Sequence, residues 1–167
     1  MKQWVVAGAL IEADDSLLLV RNVRRNGRSD WSTPGGVIDE TDASIVAGLT
    51  REVEEETGLR VMRWEGPVYE VHCVAPDLGW TLRAEVHRAL EYDGELRVED
   101  PDGIVVEAAF LTPGECRARR GDAGAPWVHE PLDEWLAHRW GPEASRGFRY
   151  DVRGTRRDDL SVRRTDP

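Results

Sequence analysis

Residues 35–59, GGVIDETDASIVAGLTREVEEETGL, constrain the fold more tightly than any other stretch. From Ala43 to Thr57 the apolar residues Ile45, Val46, Leu49 and Val53 recur at helical spacing, and Gly58 stands where a left-handed C-terminal cap belongs. Asp42 is the expected N-cap. Just upstream, Pro34, Gly35 and Gly36 break regular structure and let backbone approach a neighbour or ligand closely. The chain must therefore leave a glycine turn and enter a helix whose apolar stripe needs a partner layer.

That helix carries an electrostatic burden. Four glutamates, Glu52, Glu54, Glu55 and Glu56, fall within five positions near its C-terminus. Like charges three or four positions apart destabilise a helix by roughly 0.2–0.5 kcal/mol per pair, and carboxylates at the C-terminal end oppose the macrodipole. At about 100° of turn per residue, Glu52 and Glu56 lie close to the apolar stripe and Glu55 stands about 60–80° to the side of Glu52. Glu54 faces nearly opposite, as an ordinary solvated residue does. A hard divalent cation takes oxygen ligands, usually a few carboxylates with water and substrate phosphates completing the shell. Glu52, Glu55 and Glu56 can supply such a partial shell, and Arg51 can neutralise part of the charge instead.

The same run resembles the signature of the Nudix hydrolases, G-x5-E-x7-R-E-U-x-E-E-x-G-U, where U is a bulky aliphatic residue. Arg51, Glu52, Val53, Glu55, Glu56, Gly58 and Leu59 match the second half in order. The first half departs from it: five residues separate Gly36 from Asp42, which stands where the family has glutamate, and eight residues rather than seven then precede Arg51. An extra residue near Glu40 to Ser44 leaves either Asp42 or Glu40 to replace the missing glutamate.

The resemblance implies an α/β (α+β) fold, the α/β/α sandwich with a mixed β-sheet. It also implies Mg²⁺- or Mn²⁺-dependent hydrolysis of a nucleoside diphosphate linked to another moiety, such as a nucleoside triphosphate or ADP-ribose. By carry-over, Glu52, Glu55 and Glu56 bind metal, Glu55 or Glu52 serves as general base toward water, and Arg51 orients a glutamate. Gly36 lets the loop backbone approach the metal-bound face. Glu107, in VVEAAF, is a candidate additional base, with an exposed strand carboxylate as the plainer reading. Arg21, within the cluster Arg21, Arg24, Arg25 and Arg28, is a candidate phosphate contact, and Trp31 a candidate base contact for which a place in the core is the plainer reading. Trp127, Trp135 and Trp140 read as packing of a late helix. A small-molecule nucleotide is the expected partner, and a homodimer is admitted. The alternative is a non-catalytic Nudix-like module that senses nucleotides or nucleotide sugars.

Around the motif, QWVVAGALIE and SLLLVRNV read as a strand hairpin closed by a short polar turn. Further strands are expected at VMRWEGPVYEVHCV, WTLRAEVHRALEY and VVEAAFLT, with turns at APDLG and EDPDG, and a second helix at WVHEPLDEWLAHRW. The 167 residues suit one domain. Its arginine-rich tail from about residue 146 reads either as the closing strands FRYDVRG and LSVRR or as a partly unordered segment. The formal net charge of −10 argues against polymeric nucleic acid and anionic membranes as partners. No apolar run approaches the ~18 residues of a membrane span, and the N-terminus lacks a signal-peptide layout, so a cytoplasmic location is expected. The four histidines lack zinc spacing, and neither a G-x-S-x-G elbow nor a P-loop occurs.

Overall fold

A computed structural model describes residues 1–120 and 124–167. Strands β1 (Lys2–Leu10), β5 (Gly35–Val37), β6 (Arg60–Ala75), β7 (Trp80–Asp93), β9 (Arg146–Arg153) and β10 (Ser161–Arg164) form a mixed six-stranded sheet in the order β10-β9-β6-β7-β1-β5. Its β1–β7 and β6–β9 pairs are parallel and the others antiparallel. A second, antiparallel sheet is built on β3 (Ser16–Val23), which pairs with β2 (Glu12–Ala13), β4 (Ser29–Ser32) and β8 (Val105–Leu111). The helices are α1 (Ile45–Thr57), α2 (Pro113–Arg120) and α3 (Pro126–His138).

Period-two alternation assigns the two faces of the large sheet. Ala7 and Ala9 of β1 share a core with Leu49 and Val53 of α1, together with Leu18 and Val61. On the other face Tyr69, Val71, Val86, Phe148 and Tyr150 share a core with Leu132, Trp135 and Leu136 of α3. A mixed sheet with α1 and α3 on opposite faces is the layered sandwich expected.

The N-terminal hairpin is a correction. Only Glu12–Ala13 pairs back on Ser16–Leu17, while β1 runs parallel to β7 over nine residue pairs and β3 enters the other sheet. Leu10, Ile11, Leu17 and Leu18 are all fully buried. A strand apolar on both faces needs two covering layers, and a two-stranded hairpin offers neither. Helix α2 was unexpected because Cys116 is its only buried residue. Its local signal is a capping box, in which Thr112 N–H donates to Glu115 Oε1 (3.0 Å) and Glu115 N–H donates to Thr112 Oγ1 (3.3 Å). The arginine-rich tail is ordered as β9 and β10, paired antiparallel at the sheet edge. Cys73 and Cys116 are both buried, and burial pushes the Cys73 thiol up to about 12. Among the described residues no helix is long and apolar enough to cross a membrane.

Candidate active site

Helix α1 starts later than Asp42 would set it. Ser44 is the N-cap, its hydroxyl accepting from Ala47 N–H at 3.0 Å. Asp42 instead pairs with the helix from outside, its two oxygens accepting from Arg51 Nε and Nη2, both at 3.2 Å. That bidentate pair holds the Asp42 carboxyl below its usual range and raises Arg51 further. Glu40 stays exposed, so of the two candidates for the missing glutamate Asp42 is the one joined to Arg51. At the other end Gly58 takes φ 78° and returns its N–H to the Glu54 carbonyl.

The remaining guanidinium nitrogen gathers the glutamates. Arg51 Nη1 donates to Glu52 Oε1 at 3.2 Å and lies 3.3 Å from Glu55 Oε2. Glu56 is buried at 6% exposure and accepts from the Gly35 backbone N–H. Burial, then repulsion from Glu52, pushes its carboxyl up to about 8, so near neutrality it keeps its proton and donates to Glu52. Glu52 is also raised, by burial first. Glu54 points away and meets Arg60 at 3.5 Å, as the helical spacing required. The face thus holds Asp42, Glu52, Glu55 and Glu56 against the single guanidinium of Arg51.

β5 seals the arrangement from above. A side chain at Gly36 would place its Cβ 3.0 Å from Glu52 Oε2, so any residue but glycine would make the carboxylate shift. The loop after β7 adds charge, since Asp100 and Asp102 raise Glu56 and Glu52 respectively. Asp100 itself accepts from the backbone of Asp102, Ile104 and Val105, which makes EDPDG a turn. The donor set fits a hard divalent cation: all oxygen, net negative, with the Glu56 carboxyl pushed up by burial and then by Glu52. Among the described residues no three acidic, histidine or cysteine side chains enclose an ion by themselves. A cation held here by Glu52, Glu55 and Glu56 would need water or phosphate to complete its shell.

The other sequence candidates lie elsewhere. Arg21 pairs with Glu107 at 3.0 Å on the face of the second sheet that packs toward α3, so neither reaches the glutamates. Trp31 is half-buried against that core, with Arg119 over its ring at 5.3 Å. Arg24 is held by Asp30 at 2.8 Å and is raised mainly by that pair, with a smaller contribution from Glu56. Trp135 and Trp140 are core. Trp127 packs edge-on against Trp80 at 6.2 Å, yet it also lines a cavity of about 200 Å³ bordered by Gly35 and Gly36. Nothing in the spacing of the late helix distinguishes it from the packing tryptophans.

A family model described as NUDIX domain matches residues 1–135. The chain is 33% identical over 128 residues to a MutT-like protein of Streptomyces ambofaciens, covering 77% of this chain and 75% of that one. A stretch of 56 residues, 34% of this chain and 17% of the other, is 38% identical to the 8-oxo-dGDP phosphatase NUDT18 of Homo sapiens. Among solved structures, the MutT NUDIX hydrolase from Burkholderia pseudomallei superposes with a TM-score of 0.63 at 26% identity, covering 82% of this chain and 98% of that one. The E. coli ORF135 protein, at 23% identity and TM-score 0.67 over 83% and 92% of the two chains, shares the fold. The chain belongs to the Nudix family and is a Nudix hydrolase.

Proposed function

We propose that this chain is a divalent-metal-dependent pyrophosphohydrolase. Its substrate is a nucleoside diphosphate linked to another moiety, a nucleoside triphosphate or ADP-ribose among the candidates, with water as the nucleophile. The observation that carries the reading is the gathering of Glu52 and Glu55 on one nitrogen of Arg51, beside the buried Glu56 and beneath Gly36. Mg²⁺ or Mn²⁺, held by Glu52, Glu55 and Glu56, would neutralise phosphate charge and acidify water.

The chain's own residues supply the rest. Asp42 fixes Arg51, and Arg51 fixes the directions of Glu52 and Glu55. At 32% exposure the side chain of Glu55 is more accessible than those of Glu52 and Asp42, and it can accept a proton from water, a step worth about 10²–10⁴ in rate. Arg24 brings positive charge to the Glu56 side of the site, where an anionic phosphate needs it. The likeness of one stretch to an 8-oxo-dGDP phosphatase supports including oxidised nucleotides among the candidates. Two buried free thiols fit a reducing compartment, and the reading places the enzyme in the cytoplasm.

The test is a hydrolysis screen with Mg²⁺ and Mn²⁺ over nucleoside triphosphates, their 8-oxo forms, ADP-ribose, nucleotide sugars and dinucleoside polyphosphates, with products identified. Turnover of at least one class that falls with Glu55→Gln and Glu56→Gln is expected. No turnover of any class, or turnover indifferent to both substitutions, would overturn the reading.

A further inference from the structure

Helix α1 packs on one face of the large sheet at Ala7 and Val61. Toward the β10 edge that face stays open, and Val74, Arg149, Arg153 and Arg163 are all exposed. The residues of β6 and β9 among them alternate with Cys73, Phe148 and Tyr150 of the α3-side core, so they point away from α3. Register sets their order. Arg163 of β10 stands opposite Asp151 of β9, with Arg149 and Arg153 two residues to either side of that aspartate. His72 is opposite Arg149 on β6, and Thr165 joins the same row by donating its N–H to the Arg149 carbonyl at 2.8 Å. These six side chains border a cavity of about 320 Å³, which lies within the ~300–1,000 Å³ range of small-ligand sites.

We propose that this cavity is a second anion site, which takes a small oligophosphate of pyrophosphate or triphosphate size on Arg149 and Arg163 without a metal ion. The proposal goes beyond the pyrophosphohydrolase reading and does not rest on it. Among the described residues Asp151 is the one carboxylate lining the cavity, and it is engaged: Arg153 Nε donates to its two oxygens at 3.1 and 3.2 Å. The side chains of Arg149 and Arg163 make no ion pair among the described residues, although the chain carries a net charge of −10. Diagonal neighbours on a sheet stand about 7–8 Å apart, within reach of long side chains, so the two guanidinium groups repel one another until an anion lies between them. A guanidinium fork matches phosphate oxygens bidentately and stays charged at any working pH. One multiply charged phosphate chain can therefore pair with both arginines, with the Thr165 hydroxyl as a further donor. An acidic peptide offers the same charge but finds little to bury. Tyr150 turns its ring to the α3 side, where its hydroxyl donates to Glu130 at 2.9 Å, and Val74 is left as the aliphatic wall. The glutamate site repels phosphate unless a cation is bound, whereas here the arginines themselves supply the positive charge.

The test is calorimetric titration of the full chain with tripolyphosphate in EDTA, which keeps the glutamate site free of cations. Saturable binding of one anion per chain is expected, weakening as added salt screens the arginines. Arg149→Gln and Arg163→Gln should each weaken it by about 10-fold or more, the loss expected when a charged hydrogen-bond donor is removed. Arg117→Gln, an exposed position on α2 away from this face, should change it by less than about twofold. Circular dichroism and thermal melting check that the variants are folded, and the two cavity variants are independent of one another. Absence of saturable binding to wild type, binding that appears only with Mg²⁺, an unchanged affinity in a folded cavity variant, or an equal loss in Arg117→Gln would overturn the proposal. Tighter binding of an oligoglutamate peptide of equal charge would overturn it in favour of an acidic protein segment. Because turnover is read in a separate screen with metal, the anion site and the hydrolytic reading can each fail alone.

Discussion

Replacing Glu56 by glutamine should stabilise the metal-free protein at neutral and alkaline pH and flatten its pH dependence. The wild-type carboxyl sits at about 8 in the folded state, against 4.5 in the unfolded chain, because burial and Glu52 disfavour its charge. A raised carboxyl binds its proton more tightly when folded. Its contribution is therefore intact below 4.5, declines as pH rises through the window, and is lost above about 8. At 1.36 kcal/mol per pH unit the loss across that window is on the order of 3–5 kcal/mol, or roughly 10 °C in Tm for a chain of this size. Glutamine keeps the hydrogen-bonding pattern, accepting from Gly35 N–H and donating to Glu52, without the titration. Urea unfolding in EDTA at about pH 5 and about pH 8 measures it: wild type should lose stability between the two, and Glu56→Gln should lose far less. Added Mg²⁺ at the higher pH should rescue wild type more than the variant, because it compensates a charge the variant lacks. Parallel losses in the two proteins would show that Glu56 is ionised without penalty and would refute the electrostatic account of the site.

Three further outcomes follow from the same geometry. Glu54→Gln should leave kcat within about twofold while Glu55→Gln lowers it by roughly 10²–10⁴; matching losses, read in a phosphate-release assay, would overturn the division of the helix into two faces. Asp42→Asn removes the anchor of Arg51 and should lower kcat by about 10–100-fold with the fold intact, and crystal structures of both forms would show whether Arg51 has moved. Ser44→Ala should cost about 1 kcal/mol in chemical unfolding while Asp42→Asn leaves helix initiation alone, since Ser44 and not Asp42 caps α1.

How much was legible beforehand depended on whether the deciding interaction was local. The α1 stripe, the Gly58 cap and the outward Glu54 are consequences of 3.6-residue periodicity and stand as expected. Asp42 was misplaced because a short acidic side chain suits an N-cap and an arginine anchor equally, and the choice depends on Arg51 lying across the loop nine residues later. Gly48 makes that choice feasible: a Cβ there would stand 2.8 Å from Asp42 Oδ2, so a side chain would push the anchor away. The partition of β1 and β3 between two sheets was hidden for a different reason, since alternation identifies a strand but not its partner. Trp127 packs as its spacing suggested, and its place beside Trp80 and Gly36 was not legible because they come from distant strands.

The division of labour across β5 explains how an acidic chain handles an anionic substrate. The glutamate face places four carboxylates around one arginine, with Asp100 and Asp102 adding to the same field. Such a surface repels phosphate unless positive charge is supplied, so recognition of the phosphate end must be steeply dependent on the bound cation. The cavity next to it is neutral, and contacts made there are nearly independent of ionic conditions. Gly35 and Gly36 make the coupling short, because a strand without side chains is the thinnest wall the backbone allows between a charged site and an apolar one. A side chain at Gly36 would press on Glu52 and one at Gly35 would collide with the Ala7 carbonyl, so the glycine turn and the glutamates act as one device.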